Sequence, residues 1–331
     1  IAGGADDEIT QRANTAAFDR YELVPRYLRD VRKVDMSRTL LGRRLTWPLI
    51  LAPTGMSRMF HPDGEIGVAV EAARSGIAYS LSTMATTAIE DLATATEGAK
   101  IFQLYLLKDD GLNIELIDRC RAAGYDALCL TVDTIWAGRR ERDLRTGFTV
   151  PPRPNLRSLL SIAAHPGWCL RYLFSGRISL PNVPSAKGGD LSTLAGYFAA
   201  NMEQYISWDR VQRLIQYWQG PFAIKGLQSI EDMRVAASVG CSAIVLSNHG
   251  GRQLDGAPAT IDLVADLADA LGDRVEIILD GGIRRGTHVV KALAMGAHGC
   301  MIGRPYVYAL AAFGRNGVAR ALRLLKDEVE R

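Results

Sequence analysis

The sequence predicts an α/β protein built as a single (β/α)8 TIM barrel with a long insertion after strand four. Three observations predict it. Eight short apolar runs alternate with helix-length amphipathic stretches, the order that gives parallel strands in strand–helix units. The run ends Gly55, Thr83, Tyr105, Asp133, Leu227, His249, Ile283 and Pro305 recur at the interval of a compact strand–loop–helix unit, with one long interval between Asp133 and Leu227. No G-x-G-x-x-G follows the first run, where an open doubly wound sheet usually carries one.

Each element has its own signal. The first run, Leu49–Ala52, ends in Pro53-Thr54-Gly55, and Ile66, Val70 and Ala73 follow at helical spacing. Ala78–Leu81 ends in Ser82-Thr83. Ile101–Leu107 carries Gln103 and Tyr105, and a second helical pattern follows through Ile114, Ile117, Cys120 and Arg121. Ala127–Val132 holds Thr131 and stops at Asp133. Phe222–Ile224 ends at Lys225, and Ala243–Leu246 at Ser247-Asn248-His249. Glu276–Leu279 leads into Asp280-Gly281-Gly282-Ile283-Arg284, and Gly299–Ile302 into Gly303-Arg304.

Composition narrows the function classes. Of 331 residues 48% are hydrophobic and 23% charged, which fits a globular chain with a large core and excludes disordered, collagen-like and coiled-coil proteins. Basic and acidic residues number 39 and 36, too balanced for nucleic acid as the main partner. No apolar run is long enough to span a bilayer. The five cysteines form no C-x-x-C pair and read as buried small hydrophobes in a reducing, cytoplasmic setting. No histidine has metal-ligand spacing, so no metal is expected. The chain starts at Ile1, with neither methionine nor a secretory segment, and residues are expected to be missing ahead of it.

The insertion, about residues 143–207, has a composition of its own. Residues 151–190 hold six of the thirteen prolines, five basic residues and one acid, interleaved with Trp168, Leu170, Tyr172, Leu173 and Phe174. Such a stretch suits an anionic membrane surface, here the inner face of the plasma membrane. It equally suits a lid on the barrel mouth or a subunit contact.

Side chains at the C-terminal ends of barrel strands face the active site. All eight runs end in polar or glycine-rich residues, and buried polar groups cost free energy unless paired, so a large polar ligand is expected over the mouth. The turns Gly281-Gly282-Ile283-Arg284 and Gly303-Arg304 lie where barrels commonly bind phosphate, with exposed backbone N–H groups and charge-assisted donors. His249 is a candidate general base, Arg252 a bidentate carboxylate grip, and Asp133 the acid that orients the imidazole.

These residues carry a resemblance. Ser247-Asn248-His249-Gly250-Gly251-Arg252-Gln253-Leu254-Asp255 resembles the signature of the FMN-dependent L-2-hydroxy-acid oxidases and dehydrogenases, among them glycolate oxidase, flavin-type L-lactate dehydrogenase and mandelate dehydrogenase. The similarity runs nearly end to end, through Gly3-Gly4-Ala5-Asp6-Asp7-Glu8, Phe102-Gln103-Leu104-Tyr105, Thr131-Val132-Asp133 and Ile224-Lys225-Gly226. His165-Pro166-Gly167-Trp168 looks most like the insertion of the flavin L-lactate dehydrogenases.

The resemblance implies FMN, with the isoalloxazine held by Pro53, Thr54, Gly55, Ser82, Gln103 and Thr131. Lys225 would lie near flavin N1. Ser247, Asp280, Gly282, Arg284, Gly303 and Arg304 would hold ribityl and phosphate. Tyr105, Arg140 and Arg252 would bind the substrate's carboxylate and hydroxyl, and His249, oriented by Asp133, would take a proton while two electrons pass to the flavin. The family also places a tyrosine and a helix before Ile1 and a tail after Arg331, so a trimmed chain is expected, and its members usually form tetramers.

Met84, Ala137 and the insertion are the candidates for substrate selection, and small Ala137 leaves room for a substituent larger than methyl. Gly55 in place of alanine resembles the mandelate dehydrogenase pattern and points to quinone or another carrier as electron acceptor. An oxygen-using oxidase releasing hydrogen peroxide is the alternative. A different FMN barrel, such as a type-2 isopentenyl diphosphate isomerase or an IMP-dehydrogenase-like enzyme, and a non-catalytic binding barrel are the competing classes.

Overall fold

Eight parallel strands close into a barrel in the computed structural model, which describes residues 2–135, 138–146, 156–174, 178–183, 196 and 200–331. The strands are β3 (Leu49–Leu51), β4 (Ala78–Ser82), β5 (Lys100–Leu104), β6 (Ala127–Thr131), β7 (Phe222–Lys225), β8 (Ala243–Leu246), β9 (Glu276–Asp280) and β10 (Gly299–Ile302). They neighbour one another in chain order, and β10 closes on β3 with Met301 opposite Ile50. Each of the eight apolar runs is therefore a barrel strand. The third run is longer than its strand: Tyr105, Leu106 and Leu107 leave the sheet, and Leu107 bridges Met202 in antiparallel fashion.

The strands are buried on both faces, as parallel strands inside a ring of helices must be. Inward side chains Ile50, Ala78, Ile101, Cys129, Ala223, Val245, Ile278 and Met301 form the barrel's own core. Leu40, Leu41 and Leu45 join it from a short antiparallel hairpin, β1 (Arg38–Leu40) and β2 (Arg43–Leu45), which plugs the end opposite the mouth. The outward faces pack on helices through Leu81, Phe102, Leu128, Phe222 and Leu279.

Helix α1 (Ile9–Ala16) precedes the barrel. In α2 (Gly64–Arg74) the buried face differs from the spacing read in the sequence: Val68, Ala69 and Ala72 are buried with Glu65, while Ile66 is 40% exposed. The cause is Glu65, whose carboxylate accepts hydrogen bonds from Ser57 N, Thr86 N and the Thr86 and Thr87 hydroxyls and so turns the helix toward the loops. Next come α3 (Ile89–Ala95) and α4 (Asp110–Ala122).

Between β6 and β7 the described residues form α5 (Glu141–Arg145), α6 (Leu156–Ala163), α7 (Pro166–Phe174) and α8 (Trp208–Trp218). Much of 151–190, and Ala137, lie outside the described residues. The returning chain is laced to the end of β5, with Lys108 N donating to Asn201 O and Glu203 N to Leu106 O. Then follow α9 (Ile230–Ser238), α10 (Val264–Leu271), α11 (Gly286–Ala294) and α12 (Arg304–Glu330). Four cysteines are buried, but Cys169 is partly exposed on α7, because the segment that carries it lies on the surface. Among the described residues no helix is long and apolar enough to cross a membrane.

Candidate active site

At the mouth the inward positions of the strands turn polar. Ser82, Gln103, Thr131, Lys225, Ser247 and Asp280 are all buried there. Ser82 Oγ donates to Gln103 Oε1 at 3.0 Å, and neither Gln103 Nε2 nor Thr131 Oγ1 has a hydrogen-bond partner among the described residues. Unsatisfied buried groups of this kind cost about 1–3 kcal/mol each unless a ligand meets them.

Across the mouth Lys225 Nζ lies 2.8 Å from Asp280 Oδ2 and donates to Ser247 Oγ at 2.7 Å, and Ser247 Oγ donates to the same carboxylate oxygen. Burial pulls the Lys225 ammonium down, but Asp280 and Asp133 outweigh it and hold it above the ordinary lysine range. A fixed positive charge therefore stands in the floor of the site.

The β3 loop is held from below. Tyr306 OH donates to Ala52 O at 2.6 Å, so Thr54 Oγ donates to the tyrosine oxygen at 2.7 Å. The Thr54 hydroxyl hydrogen is thus already used by the protein. Gly55 packs on the β4 loop, where a β-carbon would lie 3.0 Å from Met84 Cβ.

His249 follows β8 in the left-handed region, at φ 56°. Its Nδ1 lies 2.9 Å from Asp133 Oδ1, at the end of β6. Burial pushes the Asp133 carboxyl up, yet the His249 charge, their hydrogen bond and Lys225 together hold it below the usual carboxylate range. An ionised acid that fixes one imidazole nitrogen leaves the other, Nε2, as the proton acceptor.

Tyr105, Arg140 and Arg252 converge on this dyad. Burial first, then Asp133, pushes the Tyr105 phenol above its ordinary range, so it stays protonated and can donate. Burial pulls the Arg252 guanidinium down to about 10, and Arg140 and Arg304 add to the effect. It remains charged at neutral pH, and the depression marks a cluster of cations short of anions. Arg140 Nε is buried without a partner among the described residues, and Arg140 Nη2 reaches Gln253 Oε1 at 3.5 Å.

Arg284 and Arg304 stand at the seventh and eighth strand ends, ahead of α11 and at the start of α12. Burial pulls both guanidinium groups down. Arg284 Nη1 donates to Ile283 O, and Arg304 donates to Gly250 O and Gln11 Oε1. Two cations over two helix N-termini suit a phosphate. The donors without partners among the described residues, the floor ammonium and this anion-seeking pair fit the chemistry of a flavin mononucleotide.

Comparison with known proteins settles the family. A model described as FMN-dependent dehydrogenase matches residues 1–331. This chain belongs to that family. Glycolate oxidase 1 of Oryza sativa is 41% identical over 329 residues, spanning 99% of this chain and 84% of the relative. An L-lactate oxidase of a Nostoc strain is 40% identical, spanning 98% and 86%. The crystal structure of a monotopic membrane protein, (S)-mandelate dehydrogenase, superposes with TM-score 0.96 at 34% identity, covering 100% of this chain and 88% of that one. A mandelate oxidase with benzoyl-formic acid superposes at 0.83 with 35% identity, over 99% and 86%. The chain is thus a flavoprotein oxidoreductase that oxidises a 2-hydroxy acid.

Of the site residues read from the sequence, all but Ala137 and the undescribed parts of the insertion lie among the described residues. The sequence reading gave no role to Asn14, Glu65, Tyr306 or Gln253. None of them carries a spacing signal. Gln253 Nε2 donates to Asp133 O, a partner 120 residues away.

Proposed function

We propose that the protein oxidises an L-2-hydroxy acid of lactate to mandelate size to its 2-keto acid and passes the electrons to quinone or another carrier. The observation that supports it best is the His249–Asp133 dyad facing the guanidinium groups of Arg252 and Arg140. Arg252 and Arg140 hold the substrate carboxylate, and Tyr105 holds the hydroxyl. His249 Nε2 accepts a proton, and the Asp133 carboxylate stabilises the imidazolium that results.

FMN, held by Pro53, Thr54, Gly55, Ser82, Gln103, Thr131, Ser247, Asp280, Gly282, Arg284, Gly303 and Arg304, supplies the two-electron acceptor. The Lys225 charge is in place before reaction and would favour negative charge on a flavin ring held near it. Met84, which packs against Gly55, is the candidate for selecting the substrate's substituent.

A carrier at a membrane is favoured by the surface of α6 and α7. Leu159, Leu160, Leu170, Leu173 and Phe174 are exposed there, Phe174 to 85%. The insertion, about 143–207, then belongs to one catalytic unit spanning 1–331, docked on the inner face of the plasma membrane. The solved relative described as a monotopic membrane protein supports that reading. Assembly as a homotetramer is the companion proposal, favoured by the exposed Val24, Tyr27, Leu28 and Val31 ahead of the barrel, and light scattering tests it. The oxidase reading has its own support in the relatives named glycolate oxidase and L-lactate oxidase.

Anaerobic mixing of FMN-loaded protein with L-lactate and L-mandelate tests the assignment. Bleaching of the visible flavin band is expected, with the faster acid naming the better substrate. Slow recovery of colour in air and fast recovery with a quinone are expected of a dehydrogenase. Fast recovery in air makes it an oxidase, and no bleaching by any 2-hydroxy acid overturns the chemistry.

A further inference from the structure

Helix α1 lies across the loop that follows β8 and is bound to it at its first turn and again near its last. No side chain of its own first turn caps the helix; Asp255 does, accepting from Thr10 N at 2.8 Å and Ile9 N at 3.2 Å. Ala5 N donates to Gly251 O. In the last turn, Asn14 forms a reciprocal pair with Asn248, each Nδ2 lying 2.8 Å from the other's Oδ1. Both are buried.

The Asn248 side chain is fully engaged. Its second N–H donates to Pro258 O, and its oxygen also accepts from Gly251 N. Two donors and two acceptor positions are all that a carboxamide offers. Asn248 is the residue immediately before His249, whose left-handed backbone is strained and persists only where neighbours over-determine it. The same helix reaches the phosphate turns. A β-carbon on Gly282, at φ +75°, would lie 1.9 Å from Asn14 O, and Gln11 accepts from Arg304.

We propose that Asn14 is a positioning residue for His249. It fixes Asn248, and through it the backbone that aims the imidazole, and it makes α1 the link between the phosphate turns and the proton acceptor. The inference rests on the reading of His249 as the base. Loss of the Asn14 carboxamide leaves an N–H and a lone pair of Asn248 unmet, and the loop relaxes toward an unstrained backbone. A shift of about 1 Å in a reacting group costs about a hundredfold in rate.

Two variants test this in FMN-loaded protein mixed anaerobically with the 2-hydroxy acid. For Asn14→Leu, of similar volume, the bleaching rate per bound flavin at saturating substrate is expected to fall at least about tenfold, with the half-saturating concentration moving less than about threefold. Lower thermal stability with an unchanged rate per bound flavin overturns the proposal.

Asn14→Asp sets a carboxylate against Asn248 Oδ1 at neutral pH. Once protonated, which burial favours, it donates to that oxygen and rebuilds the pair. The ratio of its rate to wild type is expected to rise as pH falls. A flat ratio overturns the proposal, and this series decides the matter if Asn14→Leu fails to fold. Undiminished bleaching in His249→Gln instead sinks the assignment of the base, a result distinct from either Asn14 outcome.

Discussion

Asp133 engages His249 Nδ1 through one carboxylate oxygen at 2.9 Å, while its other oxygen is buried with no hydrogen-bond partner among the described residues. The acid therefore spends its charge on the imidazole. Replacement of the base removes about 10²–10⁴ in rate for general-base catalysis. His249→Gln is expected to lower flavin reduction by at least that much with FMN still bound, measured by anaerobic stopped flow. Asp133→Asn keeps the shape but loses the charge, and is expected to cost about a hundredfold or more.

The same pair sets an acid limb of stability. The Asp133 carboxyl sits below its ordinary range in the folded protein, so the unfolded chain binds the proton more readily. The contribution is fully present above the ordinary carboxylate pKa and is lost as pH falls through the folded value. Thermal midpoints measured between neutral and acid pH are expected to fall less steeply for Asp133→Asn than for wild type. Parallel curves would falsify the assignment of that limb to Asp133.

Lys225 and Asp280 make a buried ion pair, their side chains 5% and 12% exposed. Removal of one partner from such a pair costs about 3–5 kcal/mol, because the other charge stays buried. Lys225→Met is expected to show that loss in denaturant unfolding. It is also expected to lower the potential of bound FMN, read by dye-coupled redox titration, since the charge that favours the reduced ring is gone. An unchanged potential removes Lys225 from the flavin's surroundings.

Arg252, pulled down to about 10, is a cation paying for its burial. A carboxylate that binds beside it returns that free energy. A 2-keto acid at a hundred times its dissociation constant is expected to add about 2.7 kcal/mol of stability. Arg252→Lys keeps the charge and loses the planar fork, so KM is expected to rise at least about tenfold with a smaller change in kcat. Undiminished thermal stabilisation in Arg252→Met shows that the anion sits elsewhere.

The barrel strands were legible because parallel strands buried on both faces read as continuous apolar runs, and Ala127–Thr131 or Ala243–Leu246 can be little else. The dyad and its arginines were legible because strand ends carry the chemistry and because Ser247–Asp255 is a dense local motif. Asn14 was not, since its meaning lies in a partner 234 residues away. Glu65 looked like the polar side of a helix and is instead its buried side. The plug strands β1 and β2 are three residues each, too short for a period to show.

The membrane reading stands on side chains that the protein leaves uncovered. Trp168 turns inward and donates to Met59 O at 3.3 Å, tying α7 to the loop after β3, while Leu173 and Phe174 beyond it face outward. Full burial of each in lipid is worth about 1.5–3 kcal/mol, so the two together control at least about a hundredfold in partitioning. The doubly substituted Leu173→Glu/Phe174→Glu protein adds repulsion from an anionic surface to that loss. It is expected to stay in solution when wild type sediments with phosphatidylglycerol vesicles, with dye-linked oxidation of the 2-hydroxy acid unchanged. Equal sedimentation of both proteins moves the contact off α7, and wild type that ignores the vesicles removes the membrane from the account.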